Sequence, residues 1–340
     1  MRILLQLVVM VAILGGLIWY VGVSALVTTL SQMKLWYLPP AFLAYFTINL
    51  LFVVRLRRVL RREGVETSFG RTLLAQYAGM LTSDVTPGRS GYILTPIYLR
   101  DQNIPTSKSL SSILGIQTIE FLVKVAGGIG AVVFLLKIVP ATKWSLFGSI
   151  AGINTGVLVA GLGIALMLAG ASILAAFSWS QRAISIFDRI ANWRFLKRFT
   201  GGLMGRLEEY KESAQKTRGA IPEITLLTFV CWVIKGFEWY FLGLALGITQ
   251  IPWIGYFLIH PLVTALAFIP LTPAGAGFQE FGIIGIFTIL LGVAAGPAGA
   301  FALLARGLLV FEDIAGVPQI AKSTSGLVFA QKSPDLRVEH

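Results

Sequence analysis

Long apolar runs alternate with short polar breaks along almost the whole chain. Runs near 3–23, 36–54, 109–136, 145–175, 225–247, 253–270 and 298–316 are long enough to cross the hydrocarbon core of a bilayer as helices. Segments 72–82 and 92–99 are too short to cross, and 278–294 is borderline. The run 3–23 follows a single basic residue, Arg2, and is longer than a signal-peptide core. It reads as a retained first helix, although Val-Ser-Ala at 23–25 faintly resembles a cleavage site.

Composition agrees with the pattern. Of 340 residues, 56% are hydrophobic and 13% charged, against about 25% charged in soluble domains. Mean hydropathy is +0.78. No polar stretch is long enough for a separate soluble catalytic domain, so one transmembrane domain over 1–322 and a tail over 323–340 are expected. The net charge of +12 does not point to nucleic acid, because most basic residues flank apolar runs, where anionic headgroups and the positive-inside rule account for them. The lone Cys231 excludes an intrachain disulfide. His260 and His340 lack metal-ligand spacing, and His260 reads as structural. No cofactor or metal is expected.

Basic residues set the orientation. Segment 55–71 holds Arg55, Arg57, Arg58, Arg61, Arg62 and Arg71, and segment 176–223 holds nine more of the 28 Lys and Arg residues. Both are expected on the cytoplasmic side. In 176–223, apolar Ile184, Ile186, Phe187, Ile190, Trp193, Phe195 and Leu196 interleave with basic residues, the pattern of an amphipathic helix on the inner leaflet. For the crossings to alternate, 72–99 must enter and leave by the cytoplasmic face. A second hairpin over 253–294 must enter from outside. The fold expected is an all-α integral membrane protein of about six transmembrane helices and two re-entrant hairpins, with both termini cytoplasmic.

The two hairpins share a tip. Thr86-Pro87-Gly88-Arg89-Ser90-Gly91-Tyr92 matches Thr272-Pro273-Ala274-Gly275-Ala276-Gly277-Phe278 at an offset of 186. The same offset lays 36–54 over 222–240 and 109–136 over 295–322. It sets the basic 55–71 against 241–257, which has no Lys or Arg. Equivalent loops on opposite faces are the mark of an inverted repeat, here about 36–136 and 222–322. Helices restarting after Gly91 and Gly277 would aim free N–H groups at a midplane cavity, which suits an anion.

Charges at membrane depth are costly and mark function. Glu120 and Lys124 stand one turn apart, and Glu120 and Arg306 both fall 34 residues after the tip threonine of their half. A Glu120–Arg306 pair across the repeat axis is therefore predicted. Candidate lipid-binding residues are Arg89, Ser90, Gly91, Glu120, Lys124, Gln279, Glu280 and Arg306, with Asp84, Lys235 and Glu238 in support. Lys235 and Glu238 can pair on one helix face. Gly127, Gly128 and Gly130 read as close-packing positions. No nucleophile–histidine pair, metal motif or phosphate loop is present, so no enzyme is expected.

Ser83-Asp84-Val85-Thr86-Pro87-Gly88-Arg89-Ser90-Gly91-Tyr92 followed by Glu120, and Pro270-Leu271-Thr272-Pro273-Ala274-Gly275-Ala276-Gly277-Phe278-Gln279-Glu280 followed by Arg306, resemble the two motifs of the flippase-like transmembrane domain of lysylphosphatidylglycerol synthase, the multiple peptide resistance factor. The likeness covers roughly 3–320. It implies movement of a lipid between leaflets of the cell membrane. No stretch of this sequence matches the aminoacyl-transferase domain of those synthases, so lysyl transfer is not expected. Tyr92 stands where the family usually has an acidic residue. The expected partners are membrane lipids, anionic or phosphate-bearing. A homo-oligomer and a lipid-modifying enzyme partner also fit the resemblance. A role in lipid-linked glycan or glycolipid synthesis, beside a glycosyltransferase, is the alternative.

Overall fold

The structure, a computed structural model, describes residues 2–150, 153–180, 182, 203–269 and 271–323. Most of the amphipathic stretch expected within 176–223, together with Pro270, the tail beyond 323 and His340, lies outside the described residues.

Among the described residues the chain is all-α apart from a two-residue antiparallel pairing of Ser149–Ile150 with Ile153–Asn154. The helices are α1 (Arg2–Val21), α2 (Val23–Ser31), α3 (Leu38–Arg62), α4 (Phe69–Val85), α5 (Thr95–Tyr98), α6 (Thr106–Ile138), α7 (Ala141–Trp144), α8 (Thr155–Trp179), α9 (Leu203–Arg218), α10 (Ile221–Ala245), α11 (Trp253–Leu266), α12 (Phe278–Gly285) and α13 (Ala295–Asp313). Among the described residues four helices are long and apolar enough to cross a membrane, or five if the bent pair α1–α2 is one span. The sixth expected span, 298–316, is helical as α13 but carries Arg306, Glu312 and Asp313.

Local chemistry explains where these helices begin and break. Pro39 and Pro40 open α3, and Pro222 opens α10, positions where the missing N–H costs nothing. Asn154 caps α8 by accepting from the N–H groups of Gly156 and Val157 at 3.0 and 3.3 Å. The expected 145–175 span is therefore helical only from Thr155. The first helix is not straight either: at Gly22, with φ 85°, the chain turns by 73° into α2. A third departure matters more for the site. Helix α3 runs to Arg62, so Arg55, Arg57, Arg58, Arg61 and Arg62 extend the helix rather than form a loop.

A helix–turn–helix stands at each place where a hairpin is expected. In the first, α4 leads to the Thr86–Arg89 tip, then to a 3-10 turn over Ser90–Leu94 and the short α5. In the second, α11 leads to the Thr272–Gly277 tip, then to α12 and a π turn over Ile286–Leu290. The tips meet. Pro87 and Pro273 face one another in an antiparallel bridge, and the Ala274 N–H donates to the Thr86 carbonyl at 2.8 Å.

The main core fills the half of the bundle where α3 starts and α6 ends. An aromatic group closes it: the Trp239, Phe287 and Tyr256 rings lie 5.2, 5.0 and 5.7 Å from the Phe301 ring. Helices α6, α10 and α11 approach closely at Gly127, where an added Cβ would stand 2.6 Å from Pro261 and 2.7 Å from Trp232. That is the close packing the glycine run predicts.

Candidate functional site: a polar cavity behind the hairpin tips

A cavity of about 330 Å³ occupies the other half of the bundle. Its lining comes from the middle of α3 (Tyr45, Ile48, Phe52), α6 from Ile113 to Lys124, the first hairpin tip, Gln279 of the second hairpin, and the middle stretches of α10, α11 and α13. Arg89, Ser90, Glu120, Lys124, Lys235, Gln279 and Arg306 line it together. The sequence-predicted residues therefore converge from both halves of the chain.

The charges are sorted by depth. Arg89 donates to the Asp84 carboxylate at 2.9 Å, Lys235 to Glu238 at 2.6 Å, and Arg306 to Glu280. The cationic side chains are 14, 12 and 21% exposed, whereas their carboxylate partners are 2, 0 and 3% exposed. In these three pairs the cation faces the cavity and the carboxylate stands behind it, whereas Glu120 lines the cavity beside Lys124, both 18% exposed. A buried carboxylate holds its cation in place at a desolvation cost that only close contact offsets. Aromatic faces add to this: Lys235 stands 4.6 Å over the Tyr45 ring, and Lys124 stands 5.2 Å over Phe268.

Three expectations need correction. The first is the Glu120–Arg306 pair. Glu120 instead accepts from Arg55 at 3.2 Å and from Lys124 at 3.0 Å. Arg306 bonds Glu280 and, at 3.2 Å, the Gln279 side-chain oxygen. Glu120 and Arg306 thus each take a partner from their own half, although other charges, Arg55 to Thr228 and Arg58 to Glu223, bond across the halves. The second is the pair of helix N-termini offered to an anion. The Gly91 N–H donates to the Thr86 hydroxyl at 2.7 Å, and the Gly277 N–H to Glu280 at 2.6 Å. Those donors are taken. Gly91 is buried, and an added Cβ would stand 2.4 Å from the Thr82 carbonyl oxygen. The third is Glu280 itself, which caps α12 and anchors Arg306 rather than facing the cavity. Asp84 and Glu238 likewise act from behind their cations.

The sequence reading missed three groups. Arg55, counted there as a loop residue, is 1% exposed and bridges Glu120 to the Thr228 hydroxyl at 2.7 Å. Its membership of the apolar 3.6-residue stripe of α3 was the available signal. His260, read as structural, borders the cavity with its ring 4.8 Å from Trp239. Glu63, just past α3, accepts from the hydroxyls of Ser112, Thr217 and Ser213, the first two at 2.8 and 3.0 Å. Burial pushes the Glu63 carboxyl above its usual range, and those hydroxyls partly oppose the shift. Among the described residues no three His, Cys, Asp or Glu side chains gather as a metal site.

A bundle of long apolar helices with two joined hairpin tips and a charged internal cavity defines a multi-pass membrane protein. Residues 3–312 match the family described as the lysylphosphatidylglycerol synthase TM region, and the chain belongs to that family. Its function thereby lies with membrane lipids. Among curated proteins none matches the chain.

Proposed function

We propose that the chain moves the polar head of a phosphate-bearing lipid between leaflets, as a flippase or scramblase, and catalyses no reaction on it. The observation that carries this reading is the sorting of charge at the cavity: Arg89, Lys235 and Arg306 face inward, each held by a carboxylate buried behind it. A phosphate entering the cavity would meet guanidinium and ammonium donors already oriented, which suits bidentate recognition. Glu120, with Lys124 and Arg55, is placed to meet any cationic part of the headgroup. The apolar lining of Phe52, Phe121 and Trp232 would tolerate the glycerol and upper acyl carbons.

In this reading the halves 36–136 and 222–322 act as an inverted repeat, and their relative movement exposes the cavity to each leaflet in turn. The protein sits in the cell membrane with both termini cytoplasmic. The cavity then opens toward the cytoplasmic half, where α3 ends and α6 begins, and the aromatic group around Phe301 closes the outer half. The test is transbilayer movement of fluorescent phospholipids in proteoliposomes. An Arg89→Ala, Glu120→Ala double variant is expected to slow it by about tenfold or more, the equivalent of about 1.4 kcal/mol of lost headgroup binding. Equal rates for variant and wild type would remove the site.

A further inference from the structure

Behind Arg89 the two hairpin-bearing halves bring two carboxyl groups together. Asp84, on the last turn of α4, and Asp313, at the end of α13, lie within hydrogen-bonding reach of one another. Asp313 is fully buried, and the Asp84 side chain is 2% exposed. The Tyr45 hydroxyl donates to Asp313 at 3.1 Å, and Arg89 donates to one Asp84 oxygen at 2.9 Å. The other Asp84 oxygen, Oδ2, is buried with no donor. Two carboxylates in contact away from water repel strongly, and a single shared proton relieves that repulsion.

We propose that Asp84 and Asp313 form a proton-binding site that couples proton uptake to anion binding at Arg89. The proposal rests on the cavity being a headgroup site, and it names the driving ion. With one proton the pair carries a single negative charge, matched by Arg89; without it the charge is two. An anion that draws the Arg89 guanidinium toward the cavity weakens the positive field at Asp84, so the pair binds its proton more tightly. Linkage is reciprocal: a protonated pair leaves Arg89 freer for the anion. Proton and anionic headgroup therefore travel together.

The neighbouring charges do not replace this pair. Glu120 on α6 is held by Arg55 and Lys124, and Glu238 on α10 by Lys235. Arg306 on α13 is held by Glu280. Glu312 on α13 and Tyr77 on α4 also face the pair's surroundings. Glu312, the residue before Asp313, is 5% exposed, so Glu312→Gln serves as the control.

Two measurements test the proposal. Infrared spectra of the detergent-purified chain should show the carbonyl stretch of a protonated carboxyl at neutral pH, shifted in D2O and lost in Asp313→Asn. An absent band, or one unchanged in both Asp313→Asn and Asp84→Asn but lost in Glu312→Gln, overturns the site without any transport assay. In proteoliposomes holding fluorescent phosphatidylglycerol, one required proton makes the wild-type rate fall by up to about tenfold per pH unit on the alkaline limb. An inward-acid gradient should reverse the net direction obtained with an outward-acid one. Asp313→Asn, nearly the same shape but fixed neutral, should lose that pH dependence. A pH-independent wild type, or a rate that follows sodium instead, overturns the coupling. Absence of lipid movement at every pH instead refutes the transport reading, and the infrared result then decides the proton site by itself.

Discussion

The two hairpin tips have the same backbone and opposite chemistry. After each Thr-Pro come two residues with positive φ: Gly88 at 60° and Arg89 at 55° in the first, Ala274 at 47° and Gly275 at 63° in the second. Successive left-handed residues make a type I′ turn, closed by Ser90 N–H to Pro87 O at 3.3 Å and Ala276 N–H to Pro273 O at 2.8 Å. Glycine occupies the first left-handed place in one tip and the second in the other. In the first tip the non-glycine residue is Arg89, whose side chain enters the cavity. In the second it is Ala274, fully buried, and the cavity-lining cation of that half is Arg306 on α13. One turn geometry thus supports a cavity-facing side chain on one face and a packing contact on the other. Strain at Arg89, about 1–3 kcal/mol for such a conformation, is held where it aims a guanidinium.

The largest expected effect comes from breaking the second tip's charge arrangement. Arg306→Met leaves Glu280 buried without its cation and should destabilise the protein by about 3–5 kcal/mol. Thermal unfolding in detergent measures it, and a shift near zero would mean Glu280 is satisfied by the Gly277 N–H alone. Next, Gly275→Ala places a Cβ 2.4 Å from the Ala267 Cα at a positive φ, so a loss of about 2–3 kcal/mol is expected from strain and overlap. An unchanged melting temperature would show that the second tip moves aside. Third, Arg89→Gly with Asp84→Asn makes the first tip resemble the second. Stability should change by about 1 kcal/mol or less, since strain and a buried charge leave together, while lipid movement falls to background. Retained movement would show that the first tip is scaffold too.

A carboxyl outside both tips supplies the control. Because burial raises the Glu63 titration above its unfolded value, its folded form binds more protons. The α3–α6–α9 junction should therefore loosen as pH rises through that raised value and be tightest below about 4.5. Glu63→Gln should remove that dependence in hydrogen exchange of α9, leaving the tips unaffected. The smallest effect is Ala274→Gly, which relieves a left-handed alanine but frees the unfolded chain, for a net gain of about 0.5 kcal/mol or less. A loss of stability there would mean the Ala274 methyl packs better than its backbone suffers.

Much of this arrangement is written locally. Apolar runs of spanning length mark α3, α6, α8 and α10, and the repeated Thr-Pro with nearby glycines marks both tips, because left-handed turns need those residue types. Isolated charges in apolar runs mark Glu120, Lys124, Lys235, Glu238 and Arg306. Pairing is not written locally. The 34-residue spacing suggested Glu120 with Arg306, yet each found a partner that register alone does not reveal, Arg55 in one case and Glu280 in the other. Glu63 is the plainest case. Its partners Ser112 and Thr217 lie 49 and 154 residues away, and a serine or threonine in a helix carries no sign of what it will bond. Long-range polar contacts depend on how helices cross, which periodicity does not encode.

The bridge between the tips has a mechanical consequence. Pro87 and Pro273 have no N–H to give, so the link between the tips is carried by their neighbours, the Ala274 N–H donating to the Thr86 carbonyl at 2.8 Å. Elsewhere the halves are joined by side-chain bonds, among them Arg55 to Thr228 at 2.7 Å and Tyr45 to Asp313 at 3.1 Å. For the halves to rock as proposed, each of these bonds has to part, and each can do so without unravelling either hairpin.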